Sequence, residues 1–325
     1  MSKSKHKNKT KKRGRKVAIV FIILGVLVWV NLTSLLMNQI FFRNELRNVE
    51  PFGQMVEVNG KMMHVHSMGD GEQIIVLLPG LGTPVPSASF GPLMRELSTE
   101  FTVVAIEYFG VGFSDQIDTP RTNANYTQEM RAALLAAGFK PPYILMPHSA
   151  SGVYAEYFAT RYPDEVSALI LLDTTPTHEV IGPDIPRWVG DMQRITQPVG
   201  LMRPVNRIAN STVQGFTTDN GYTPHEINYI RRFTNHASNR TIVNQLVEHG
   251  NAVREVMGMP FPSDIPVLLI TPTRLNPGVT EEQIADHITR FGETSKRITL
   301  EGNHMIYRRN QAAVLEAVNE FLGKQ

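Results

Sequence analysis

A chain of 325 residues, 42% hydrophobic and 19% charged, has the mixture of an ordinary globular protein and the length for one large core plus an insertion. Its net charge of +2 conceals a split: residues 1–16 carry nine cations and no acid, which leaves 23 cations against 30 acids in the rest. The positive charge therefore sits in a tail and excludes a basic nucleic-acid-binding face, and the absence of cysteine excludes disulfides, zinc–thiolate sites and a thiol nucleophile.

The basic tail runs directly into Val17–Val30, a stretch without a charge, which Asn31 to Met37 extends to about the length that crosses a bilayer. This pattern predicts a transmembrane signal-anchor over 17–37, with residues 1–16 cytoplasmic and the body extracytoplasmic. A cleaved signal peptide is the competing reading. Against it, no small-x-small pattern follows Val30, and apolar character resumes at Leu35 and at Ile40-Phe41-Phe42. Residues 43–53 read as a stalk. Gln54–Val58 and Lys61–Ser67, joined by Asn59-Gly60, read as a hairpin on a type I′ turn. Strands follow at Gln73–Leu78 and Thr102–Tyr108, then a helix at Tyr126–Ala137 stopped by Gly138.

Tyr143 to Met146 is an apolar strand without polar alternation, as expected of a parallel strand buried on both faces. It passes through His148-Ser149 into a helix marked by Val153, Tyr157 and Phe158 and ended before Pro163. Only small residues fit around such a sharp strand-to-helix corner, and Ala150, Ser151 and Gly152 are small. Further strands at 166–172, 266–271 and 297–300 and helices at 281–291 and 310–322 complete an alternation that implies a parallel sheet covered by helices.

The corner Pro147-His148-Ser149-Ala150-Ser151-Gly152 resembles the nucleophile elbow of the α/β-hydrolase fold, with Pro147 and Ser151 in place of the two usual glycines. Four other segments are similar to that family in the right order. They are Ile75 to Gly82, Glu107-Tyr108-Phe109-Gly110-Val111-Gly112-Phe113-Ser114-Asp115 with Glu107 for the usual Asp, Arg161 to Asp173, and Leu300-Glu301-Gly302-Asn303-His304. The resemblance covers residue 54 to the C-terminus. It implies a mostly parallel eight-stranded sheet with helices on both faces, a core over 54–173 and 265–325, and a helical cap over 174–264 inserted after strand 6.

It also implies roles. Ser149 is the nucleophile and His304, in a Gly-x-His turn ahead of the last helix, its general base. The loop Thr271 to Pro277, where the family usually carries its acid, holds no carboxylate. Asp173 is the substitute, because some members place the acid at that strand end, with Asn276 a weaker neutral orienter and a turn-capping role for Asp173 the alternative. The oxyanion hole is assigned to the backbone N–H groups of Ala150 and Leu81, each worth about 2.7 to 4 kcal/mol of barrier. His148 reads as a packing or hydrogen-bonding residue. His64 and His66 share a strand face without a third ligand, so no metal and no cofactor are expected.

Trp188, Met192, Met202, Phe216, Tyr229, Phe233, Met257, Met259 and Phe261 are candidates for an apolar acyl pocket, most of them serving as the cap's own core and two or three facing substrate. The resulting expectation is a membrane-anchored serine hydrolase that cleaves carboxylic esters of small or medium apolar or lipid-like substrates through an acyl-enzyme, with no nucleic-acid partner. Amide or peptide-bond hydrolysis is one alternative; a catalytically silent surface protein that keeps the scaffold for binding is the other.

Overall fold

In the computed structural model, which describes residues 2–177, 184–200, 203 and 215–323, the chain opens with one long helix, α1 (Ser2–Phe42). Lys16–Phe42 is long and apolar enough to cross a membrane, and its side chains from Val17 to Thr33 are exposed. The helix thus overruns the expected 17–37 span at both ends. Residues 43–53, expected as a stalk, lie instead on the body. Leu46, Val49 and Phe52 pack beside Tyr229 and Phe233, and the Glu50 N–H donates to the Tyr229 hydroxyl at 3.2 Å. Leu46, Val49 and Phe52 are spaced at i, i+3 and i+6, a short apolar stripe that the stalk reading overlooks.

Asn59 and Gly60 take φ of 54° and 76°, the positive pair a type I′ turn requires, and close β1 (Gln54–Val58) onto β2 (Lys61–Met68) in antiparallel register. β2 pairs antiparallel with β4 (Thr102–Glu107). The remaining pairings are parallel and bring in β3 (Ile74–Leu78), β5 (Tyr143–Pro147), β6 (Val166–Leu172), β7 (Val267–Pro272) and β8 (Lys296–Leu300), in the order β1-β2-β4-β3-β5-β6-β7-β8. β5 lies at the centre of this sheet and is buried at all five positions, which is why it carries no polar alternation.

Helices α4 (Asn123–Ala136), α5 (Ser151–Arg161) and α9 (Glu281–Thr289) cover one face through Tyr126, Met130, Val153, Phe158 and Ile284. Helices α3 (Gly91–Leu97) and α10 (Gln311–Leu322) cover the other through Leu93, Leu97, Val314 and Val318. α3 and the single turn α2 (Pro86–Ser89) are additions to the sequence reading, which assigned no element there; Pro86 and Pro92 occupy first-turn positions, where no N–H is required.

Between β6 and β7 the chain leaves the sheet and forms α6 (Arg187–Thr196), α7 (Pro224–Thr234) and α8 (Arg240–Met257). Phe216, Tyr222, Tyr229, Ile230 and Phe233 form a small core there with Val85 and Ala88 of the β3–α3 connection. Polar fasteners accompany it. Arg95 of α3 makes a two-pronged bond to Glu226 of α7 at 2.6 and 3.1 Å. At the start of α8, Asn239 donates to the Gly110 carbonyl at 2.6 Å, and the Thr241 hydroxyl both accepts from and donates to the Ile117 backbone.

Candidate active site

Ser149 sits where β5 ends, held by its N–H on the Leu172 carbonyl of the neighbouring strand at 3.2 Å, and it takes a φ of 56°. A non-glycine residue in this region costs about 1–3 kcal/mol and persists only where its surroundings enforce it. The surroundings here are close. A Cβ at Gly152 would stand 2.5 Å from Thr174 Cβ, so α5 can approach the end of β6 only with glycine there. Ser151, standing where the elbow pattern has glycine, donates to the Pro79 carbonyl at 2.5 Å and accepts from the Tyr108 hydroxyl at 3.0 Å. Burial pushes the Tyr108 phenol far above its usual range, which keeps it a donor.

That chain of hydroxyls clamps the turn Pro79-Gly80-Leu81 against the elbow. A Cβ at Gly80 would meet Ser149 Cβ and His148 Nδ1, each at 2.8 Å. Among the described residues, neither the Leu81 nor the Ala150 N–H donates to another protein group, so both remain available to a ligand beside Ser149.

His304 follows β8, and its Nδ1 lies 2.6 Å from Asp173 Oδ2. Asp173 is buried at the end of β6 with a φ of 41°, and its N–H donates to the Ile270 carbonyl at 2.8 Å. This positive φ turns the side chain out of the strand direction toward His304. Asn276 makes no hydrogen bond to His304 among the described residues. His148 lies under the pair: its Nε2–H donates to the His304 carbonyl at 2.9 Å, and its ring centroid is 4.5 Å from that of His304 and 4.9 Å from that of Tyr307. Burial, and then the charge His304 would carry, holds His148 well below the usual histidine range.

Of the two histidines on β2, His64 belongs to a structural hub. His64 accepts the Gly53 N–H at 2.9 Å through Nε2 and faces Glu107 Oε2 through Nδ1 at 3.2 Å. Glu107 also accepts from the Ser87 N–H, the Ser87 hydroxyl and the Phe113 N–H. Glu107 therefore organises the loops beside the site, a role its place ahead of Gly110-x-Gly112 signals and the sequence reading did not assign. Among the described residues no group of three or more His, Asp or Glu is placed to hold a metal.

A cavity of about 460 Å³ opens beside Leu81 and Gly82, walled by Thr196, Gln197, Ile242 and Leu246 of the insertion. The expected core role holds for three of the nine candidates, and the expected lining of two or three is corrected. Trp188 and Met192 are exposed at 66% and 54%, Phe216, Tyr229 and Phe233 fill the small core, and Met257, Met259 and Phe261 pack on the main core. None of these eight lines the cavity, and Met202 lies outside the described residues. Periodicity marks which residues are apolar; it does not tell which face of an inserted helix meets the sheet.

Residues 73–200 match the family model of the alpha/beta hydrolase fold. The chain is 29% identical over 261 residues to the uncharacterized protein YbdG of Bacillus subtilis (strain 168), covering 78% of each. It is 32% identical over 114 residues to the pimeloyl-[acyl-carrier protein] methyl ester esterase of Chromobacterium violaceum, covering 35% of this chain and 41% of that one. Among solved structures, Cfl2 of Burkholderia cenocepacia superposes with a TM-score of 0.65 at 19% identity, over 82% of this chain and 94% of that chain. The fold of this chain is the α/β-hydrolase fold.

Proposed function

We propose that the protein is a serine hydrolase that cleaves carboxylic esters through an acyl-enzyme, with Ser149 as nucleophile, His304 as general base and Asp173 as the acid. The observation that carries the reading is the 2.6 Å contact of His304 Nδ1 with Asp173 beside a serine in strained positive φ. With Nδ1 committed to Asp173, Nε2 takes the Ser149 proton as Oγ attacks the substrate carbonyl, and the carboxylate stabilises the imidazolium. The Leu81 and Ala150 N–H groups take the developing oxyanion. His304 then returns the proton to the departing alkoxide, and water releases the acid by the same steps in reverse order of partners. An ester substrate accords with the esterase named above and with the about 460 Å³ cavity at Leu81. The residues after β6, 174–264, act as a cap on the core formed by 54–173 and 265–325.

Residues 17–37 anchor the protein in a membrane, with the basic tail in the cytoplasm and the hydrolase body outside. The test is fluorophosphonate labelling of the full chain in detergent micelles. The parent should label and turn over short-chain acyl esters, and Ser149→Ala should do neither. A folded parent that stays unlabelled overturns the proposal.

A further inference from the structure

Helix α6 turns an apolar stripe to solvent. Trp188, Val189, Met192 and Ile195 recur at i, i+1, i+4 and i+7, with Ile185 just ahead, and their exposures run from 37% to 66%. The opposite side of the helix is seated: a Cβ at Gly190 would come within 3.0 Å of Val243 on α8. Arg187 and Arg194 flank the stripe, also exposed, each near Asp191. Four large apolar side chains on one short surface helix, with Ile185 just before it, call for a covering partner.

What covers them follows from the elements next to them. The segment leaving α6 is bonded to α1: Ser34 Oγ donates to the Val199 carbonyl at 2.6 Å, and Arg203 donates to Asn38 at 2.6 Å and lies 4.1 Å over the Phe42 ring. From Lys16 to Thr33, α1 is exposed on every side. Lys16 to Thr33 would span about 27 Å at 1.5 Å per residue, close to the ~30 Å of a hydrocarbon core. Ser34 therefore marks the level at which the helix leaves the bilayer, and the turn that follows α6 is hydrogen-bonded to that level. A helix with an aromatic and aliphatic face and arginines at its flanks suits the headgroup–acyl boundary.

We propose that the outer face of α6 docks into the lipid surface beside α1, so that the cavity at Leu81, which Thr196 and Gln197 at the end of α6 help to wall, receives acyl lipids from the bilayer. This rests on the reading of 17–37 as an anchor, and the experiment separates the two.

The chain has two tryptophans. Full-length Trp29→Phe, reconstituted in phosphatidylcholine–phosphatidylglycerol vesicles, leaves Trp188 as the only reporter, and Trp188→Phe leaves Trp29. Both are to be quenched by lipids brominated along the acyl chain and by aqueous acrylamide. The expected result is lipid quenching of both, strongest for Trp188 with bromines nearest the headgroup, and several-fold weaker acrylamide quenching of Trp188 than in micelle-free unfolded chain. Trp29 quenched by lipid while Trp188 stays open to acrylamide overturns the docking and leaves the anchor. Trp188 shielded from acrylamide yet untouched by brominated lipid means that protein covers it, which also overturns the docking. Trp29 untouched by lipid overturns the anchor and the docking with it. For substrate entry, Met192→Asp/Ile195→Asp should label several-fold more slowly with a long-chain alkyl fluorophosphonate held in vesicles and at the parental rate with a short soluble one; an equal ratio of the two rates in parent and variant overturns entry from the bilayer.

Discussion

Gly80→Ala places one methyl group where the oxyanion turn meets the nucleophile. The new Cβ would stand 2.8 Å from both Ser149 Cβ and His148 Nδ1, short of the 3.4 Å at which ordinary contact begins, so the gap must open by about 0.6 Å. Neither neighbour yields easily. Ser149 is held by Leu172 and by its strained φ, and His148 is buried and bonded to the His304 carbonyl. The turn itself must therefore retreat, taking the Leu81 N–H with it. A misplacement of about 1 Å costs on the order of 10²-fold in rate, and complete loss of an oxyanion donor about 10²–10³-fold. A retreat of some 0.6 Å is expected to slow fluorophosphonate labelling by roughly 10- to 100-fold. The second-order labelling constant measures this, with the thermal unfolding midpoint measured in parallel to show that the variant is folded. Labelling at the parental rate by a folded Gly80→Ala would refute the assignment of the Gly80 approach as the contact that sets the oxyanion geometry.

Asp173→Asn should slow labelling and ester turnover by roughly 10⁴-fold while Asn276→Ala leaves both near parental, and the reverse pattern in the same kinetic assay would move the acid to the β7 loop. Ser151→Ala removes the donor to Pro79 and leaves the buried Tyr108 hydroxyl without its partner, which should lower the unfolding free energy in urea by about 1–3 kcal/mol. Acid should destabilise the fold through its buried histidines. Burial, together with neighbouring histidine charge for the first two, lowers His148 and His66, and burial alone lowers His249, from their usual 6.5. The unfolded chain takes up these protons first, so stability is complete above about pH 6.5 and falls below it toward the depressed native values. The slope is up to about 1.4 kcal/mol per pH unit for each residue. An unfolding free energy that stays flat between pH 7 and 5 would count against this placement of the three rings.

Strand boundaries were legible to within a residue or two because their cause is local: β5 is apolar throughout since both its faces are covered, and Asn59-Gly60 can hardly form anything but a tight turn. Spacing and resemblance single out Ser149, Asp173 and His304 as candidates, and the geometry joins His304 to Asp173 rather than to Asn276. What sequence could not reach depends on approach between distant segments. The positive φ that aims Asp173 arises where β6 leaves the sheet. Ser151 in place of a glycine is explained only by the carbonyl of Pro79, 72 positions away in the chain. Phe216, Tyr229 and Phe233 do serve the insertion's small core, whereas Trp188 and Met192 fall outside any lining because an inserted amphipathic helix has two candidate homes for its apolar face, and α6 shows it outward.

The fasteners between the insertion and the core bear on how ligands arrive. α7 is pinned through Glu226 to α3, and α8 through Asn239, Thr241 and the Ala252 carbonyl, which accepts from Asn123 of α4. If the insertion caps the site as proposed, attachment along two of its helices makes it a fixed wall rather than a hinged door. Capture by such a site is governed by the girth of the entrance: association should proceed in a single concentration-dependent phase, with no slow isomerisation after encounter, and bulky acyl groups should be refused at the threshold instead of being admitted and bound poorly.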